Sequence, residues 1–216
     1  MEPPRKDPDM PRCPQHPARG ALSAQLLELR AAQLDERSIE ELAAWDRAAA
    51  AAAEARVAAS SLEVGADAGM PTGGRPLIIT WYLSAASPFC RATLEVWIDA
   101  VRNLGCSAGP EATVADAPSP RVLLLPADPP RAAVRTAAEL GSALRIEHDD
   151  GGWADLFGIR YTAPAAFREL LGLEIDPVPL PATYVLAADG VVLGRFVHPD
   201  SRFRAEPATC IAVARG

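Results

Sequence analysis

Pro76-Leu77-Ile78-Ile79-Thr80-Trp81-Tyr82-Leu83, followed by Ser84-Ala85-Ala86 and then Ser87-Pro88-Phe89-Cys90, is the stretch on which the fold turns. Its first eight residues are an apolar run of strand length, with β-branched and aromatic side chains bounded by turn residues, and they read as a strand. From 91 to 104 the pattern becomes amphipathic with helical spacing, so a turn delivers Cys90 to the start of a helix. Free N–H groups and the positive end of the helix dipole favour a thiolate at such a place. The placement suits a redox site. The residue nearest the helix start, however, is Ser87, whose hydroxyl does not ionise at neutral pH without a partnered base.

After a passage over 65–76 whose Gly69, Pro71, Gly73 and Gly74 have the turn chemistry of a linker, strand and helix patterns alternate. Strands are expected at 77–83 and 121–125, with helices over 88–104 and 130–140. A short strand at 144–147, the turn Asp149-Asp150-Gly151-Gly152 and a short helix over 153–157 follow. Two strands, 182–187 and 191–197, flank the turn Ala188-Asp189-Gly190, and a helix over 207–214 closes the chain. This order predicts an α/β architecture, a mixed sheet flanked by helices.

Ahead of this domain, placed at 65–216, two further regions are expected. Residues 1–19 hold six prolines, which stop helix and sheet alike, so a disordered arm is predicted. Cys13 and His16 lie there, too few to argue a metal site. Residues 20–64 are rich in Ala, Leu, Glu and Arg and read as a helical hairpin. Its second helix begins at the capping-box pattern Ser38-Ile39-Glu40-Glu41, with Ile39, Leu42 and Trp45 on one face. That narrow stripe is expected to pack on the main domain or on a second copy of the chain.

With 216 residues, 49% hydrophobic and 23% charged, the chain can bury a full core. A formal net charge of -7 argues against a nucleic-acid surface. No apolar run of membrane-spanning length is present and the first residues lack the apolar centre of a signal peptide, so no membrane association and a cytoplasmic location are expected. Cys13, Cys90, Cys106 and Cys210 are irregularly spaced and read neither as a disulfide framework nor as a zinc site; no metal and no cofactor are expected. Cys106 stands sixteen residues beyond Cys90, about 24 Å along one helix, far outside disulfide reach.

Several segments, in order, resemble the peroxiredoxin-like branch of the alkyl hydroperoxide reductase C and thiol-specific antioxidant family, within the thioredoxin superfamily. They are Ser61-Leu62-Glu63-Val64-Gly65, the turn Ser87-Pro88-Phe89-Cys90 where the family shows Cys-Pro-Tyr-Cys, and Asp155-Leu156-Phe157-Gly158-Ile159-Arg160-Tyr161-Thr162. Val178-Pro179-Leu180-Pro181-Ala182-Thr183-Tyr184-Val185, Asp189-Gly190-Val191-Val192, Pro199-Asp200 and Arg204-Ala205-Glu206-Pro207 complete the set. The resemblance implies a thioredoxin-like, peroxiredoxin-type fold and a thiol antioxidant or oxidoreductase, with a homodimer as the assembly. It implies a thioredoxin-like thiol reductant or a small-molecule substrate as partner. It also implies a cis bond before Pro181, which would present the groups of Leu180 to a substrate beside the thiol; a trans proline opening a strand is the plainer alternative.

In that family the first Cys of the turn attacks peroxide and passes through a sulfenic acid. Ser87 stands at that position, so peroxidase activity is expected to be weak, altered or lost, with Cys90 the remaining thiol. The candidate site is therefore Cys90 and Ser87, lined by Ser84, Pro88, Phe89, Leu180, Pro181 and Arg204. For Cys90 the bland reading is a small buried residue, for Ser87 an N-cap followed by proline, and for Arg204 a surface ion pair. His148 or His198 as a base for a hydrolytic Ser87 lacks the Gly-x-Ser-x-Gly elbow. Two other function classes stand beside the redox one: a non-catalytic binding module, and an enzyme recruited to non-redox chemistry.

Overall fold

In a computed structural model the chain is described over residues 36–59, 62–106, 119–140, 145–149 and 152–216. The proline-rich arm, Cys13, His16 and the first helix expected before residue 36 lie outside these.

The central strand is β1 (Leu77–Tyr82), buried at all six positions because neighbours cover both edges and both faces. It pairs in parallel with β2 (Arg121–Pro126), Ile79 beside Leu123, and antiparallel with β6 (Ala182–Leu186), Ile79 beside Tyr184. The sheet runs β3–β2–β1–β6–β7, with β3 (Arg145–Ile146) and β7 (Val192–Val197) at its edges. Parallel neighbours need a crossover, and α2 (Pro88–Cys106) supplies it between β1 and β2, as α3 (Pro130–Leu140) does between β2 and β3. The antiparallel neighbours β6 and β7 need only a turn. Gly190 makes it, with φ at 93° and its N–H bonded to Ala187 O at 3.0 Å. The last helix, α6 (Pro207–Arg215), packs on β1, β6, β7 and α2. This mixed five-stranded sheet flanked by helices has a thioredoxin-like arrangement.

Three departures from the expected pattern have physical reasons. The passage over 65–76 does not hang as a linker: Gly65 N–H reaches Val192 O at 2.8 Å, Val192 N–H reaches Ala66 O at 2.9 Å, and Ala68 and Met70 are buried. It covers the otherwise open edge of β7. A two-stranded ribbon joins β4 (Arg160–Tyr161) to β5 (Val178–Pro179), and between them α5 (Ala165–Leu171) ends at Gly172, whose φ of 65° allows its N–H to turn back to Arg168 O and Glu169 O. Strands of two residues carry no periodicity to read. Finally, the cis bond is Asp176–Pro177 and the Leu180–Pro181 bond is trans. A trans bond suits the place, since Leu180 N–H already bonds Ile159 O at 2.8 Å and Ala182 enters the sheet opposite Trp81.

Helix α1 (Glu36–Ala59) starts two residues before the capping-box serine. Ala49 and Ala53 are buried in the common core and the helix meets β4 and α5, so it packs on the same chain. Among the described residues no helix is long and apolar enough to cross a membrane.

Candidate active site

The turn is built by its own short hydrogen bonds. Ser87 N–H donates to Ser84 O at 3.0 Å, Ala86 N–H to Ser84 Oγ at 3.1 Å, and Ala85 N–H to Asp128 Oδ2 at 2.9 Å. Ser87 then acts as the cap of α2: its Oγ accepts from Cys90 N–H at 3.4 Å and its carbonyl accepts from Arg91 N–H at 2.9 Å. Pro88, with no N–H to satisfy, occupies the first helical position. No histidine among the described residues bonds Ser87. The hydroxyl that would have to act as a nucleophile is spent on the helix, as the plainer reading of Ser87 has it.

Cys90 sits in the first turn of α2 and is wholly covered, as are Phe89 and Ser84. Its sulfur is met by a cation. Arg204, three positions before the first residue of α6, is only 4% exposed and directs Nη2 to within 3.6 Å of Cys90 Sγ. Its Nη1 donates to Phe203 O at 3.2 Å, its Nε has no partner, and no carboxylate pairs with the guanidinium among the described residues. The surface ion pair expected for Arg204 is thus replaced by a buried contact. Packing of α6 against α2 and β1 brings together two residues 114 positions apart.

Tyr82, the last residue of β1, is also fully buried, and its hydroxyl lacks a hydrogen-bond partner. Burial, and then electrostatic interaction with the nearby Asp128 and Cys90, push that hydroxyl far above its usual range, so it stays a neutral donor at every working pH. Trp81 and Trp97 are buried core residues and line no cavity at the turn. Cys210 lies buried in α6 within the same core. The sheet register, carried one step beyond the Trp81–Ala182 pair, sets Pro181 level with Tyr82, beside the strand end that leads into the turn. Leu180 and Pro181 are both buried there.

No family model matches the sequence and no curated protein matches it. Among solved structures, one similar to it is a peroxiredoxin-like protein from Aquifex aeolicus, at 13% identity and a TM-score of 0.46, over 72% of this chain and 82% of that one. A second is the bacterioferritin comigratory protein of Xanthomonas campestris, studied for alkyl peroxide reduction, at 16% identity and 0.45 over 72% and 95%. A third is the peroxidoxin BcpB from Mycobacterium tuberculosis, at 20% identity and 0.45 over 72% and 96%. Identities this low leave the chemistry of the site to be read from the side chains of this chain.

Behind Arg204, the loop from β7 to α6 holds two coupled ionisable groups. Burial lowers the His198 imidazole below its ordinary 6.5; contact with Asp200 opposes this, while the charges of Arg204 and Arg202 add to it. For Asp200 burial acts upward, but hydrogen bonds and charge from Arg202, and then the charge of His198, outweigh it and hold the carboxyl below 3.8. In both cases the unfolded chain binds more protons than the folded one, so stability falls as pH falls. For His198 the loss begins as pH drops through the unfolded value near 6.5; for Asp200 it begins near 3.8. Chemical denaturation between pH 7.5 and 5 should show the first loss, and His198→Gln should flatten that part of the curve.

Proposed function

We propose that the chain is a thiol-dependent redox protein of the peroxide-reducing class, with Cys90 as the reacting sulfur and Arg204 holding its thiolate. The observation that carries this reading is the buried guanidinium 3.6 Å from Cys90 Sγ, without a carboxylate partner among the described residues. A buried cation without an acid is costly, and an adjacent sulfur that can become an anion supplies the missing charge. The N-terminal turn of α2 favours the same ionised state.

The chemistry then needs only a peroxide and a thiol. The Cys90 thiolate attacks one peroxide oxygen; an S–O bond forms, the O–O bond breaks, and the leaving oxygen takes a proton from water and departs as an alcohol or water. Sulfur is oxidised by two electrons to a sulfenic acid, and the peroxide is reduced by two. A reductant thiol condenses with the sulfenic acid, releasing water and forming a mixed disulfide, and a second thiol displaces Cys90 as the thiol again. Ser87 supplies oxygen where a second sulfur would resolve the intermediate within the turn, so resolution falls to an external thiol. Cys90 is also wholly covered. Peroxide therefore reaches it only when the turn or the Arg204 loop opens, which makes the activity slow.

The test is chemical. On treatment with a low concentration of hydrogen peroxide in the presence of dimedone, peptide mass spectrometry should find the adduct on Cys90, and Cys90→Ser should remove peroxide consumption. A protein that consumes no peroxide, with Cys90 unlabelled, would sink the redox reading.

A further inference from the structure

We propose that a cavity on the outer side of the active-site turn binds a small zwitterionic peptide, its carboxylate held by Arg131 and Arg135 and its ammonium by Asp128. The cavity has a volume of about 820 Å³, within the range of pockets that enclose small-molecule ligands. Its lining includes the turn itself, Ser84 to Ala86, one face of α3 from Pro130 to Glu139, and Leu171 with Gly172 at the end of α5. The reacting sulfur is not part of this lining, so the pocket is separate from the Cys90–Arg204 contact.

Its charges are arranged in a way the fold does not use. Arg91 and Glu139 close one rim by pairing with each other at 2.9 Å. Arg131 and Arg135 stand one helical turn apart on α3, so their side chains share a face. Both are exposed and neither has an ion-pair or hydrogen-bond partner among the described residues. Two guanidinium groups on the lining of one cavity suit a carboxylate, and the start of α3 beside them adds the positive end of a helix dipole.

Asp128 is the opposite pole. It lines the same cavity while being only 4% exposed, and the one hydrogen bond it receives is from Ala85 N–H to Oδ2. A deeply set carboxylate with capacity to accept more is matched by an ammonium or amide donor. Glu174 adds a further negative charge to the lining. An anion alone would satisfy the arginines and meet repulsion at Asp128; a ligand with separated charges of both signs satisfies both poles.

The proposal does not depend on the redox reading, because the probe carries no free thiol. S-Methylglutathione, with two carboxylates and one ammonium, should bind the full chain in calorimetry as a single site with Kd below about 1 mM. Glutarate, which lacks the ammonium, should bind at least about tenfold more weakly. Arg131→Gln with Arg135→Gln, and separately Asp128→Asn, which keeps an acceptor for Ala85, should each weaken binding about tenfold or more. On the unaltered chain, amide NMR shifts should concentrate at 84–86 and 131–136, a readout that needs no folded variant. Absence of binding, shifts elsewhere, unchanged affinity in folded variants, or glutarate binding as well as the peptide would each overturn the assignment.

Discussion

Replacing Arg204 with methionine should cut the rate of Cys90 oxidation by hydrogen peroxide about 10- to 100-fold at pH 7 while leaving the protein at least as stable. The first half follows from charge. A cation beside the sulfur stabilises the anion that attacks peroxide and the negative charge that develops there, and Arg204 Nη2 lies 3.6 Å from Cys90 Sγ. Without it only the start of α2 favours an anionic sulfur at this position. The second half follows from burial. Arg204 is 4% exposed, its Nε is unsatisfied and no acid neutralises it among the described residues, so an apolar chain of similar length removes a desolvation cost, with a gain of up to about 2 kcal/mol. A structural arginine would give the reverse pair of results: lower stability and unchanged chemistry. Arg204→Lys, a more strongly hydrated point charge on a flexible stem, should restore part of the rate. Stopped-flow oxidation and denaturant melts on the three proteins measure both halves, and an unchanged rate in Arg204→Met would reduce Cys90 to a core residue.

The parts of this architecture that rest on local chemistry are legible in the sequence. Six consecutive buried positions in β1 come from an uninterrupted apolar run, Ser87 and Pro88 mark the start of α2 by their cap chemistry, and Asp189-Gly190 marks the β6–β7 turn. What could not be read depends on contacts between distant segments. Arg204 has no sequence neighbour that reveals its burial; the nearest signal is its place between Phe203 and Ala205, just before the helix-opening Pro207, which suggests a segment docked on the core. The β4–β5 ribbon is too short for any period, and α5 is cut off by Gly172 after two turns. The arginines of the cavity look like an ordinary solvated helix face until Ser84 to Ala86 are seen across from them.

Asp149 is the sharpest case of a residue whose sequence reading is too modest, and its loss should destabilise the protein by roughly 3–5 kcal/mol. In the sequence it reads as turn chemistry within Asp149-Asp150-Gly151-Gly152, or as an orienter of a histidine base for a hydrolytic Ser87. In the fold it is 3% exposed, and its donors include Trp81 Nε1 and Ala154 N–H at Oδ2, each at 2.9 Å, and Trp153 N–H at Oδ1 at 3.2 Å. One carboxylate therefore pins the indole of the central strand and caps α4 (Gly152–Leu156). Trp81 in turn packs on Phe157 at 5.0 Å between ring centres, so the strand, the cap and the aromatic core are tied at one point. Asp149→Ala leaves a fully buried indole N–H with no acceptor and two helix-start N–H groups uncapped, a large fraction of a typical 5–15 kcal/mol total. Asp149→Asn keeps one acceptor oxygen and should lose only about half as much. Urea midpoints report the loss, and hydrogen exchange should quicken first at 153–157. Asp149 bonds Trp81, Trp153 and Ala154, whereas the sulfur is met by Arg204, so the rate of Cys90 oxidation in the folded variant should stay within about twofold of the unaltered protein. A rate that collapsed along with stability would mean that the site depends on the whole sheet and not on the Arg204 contact.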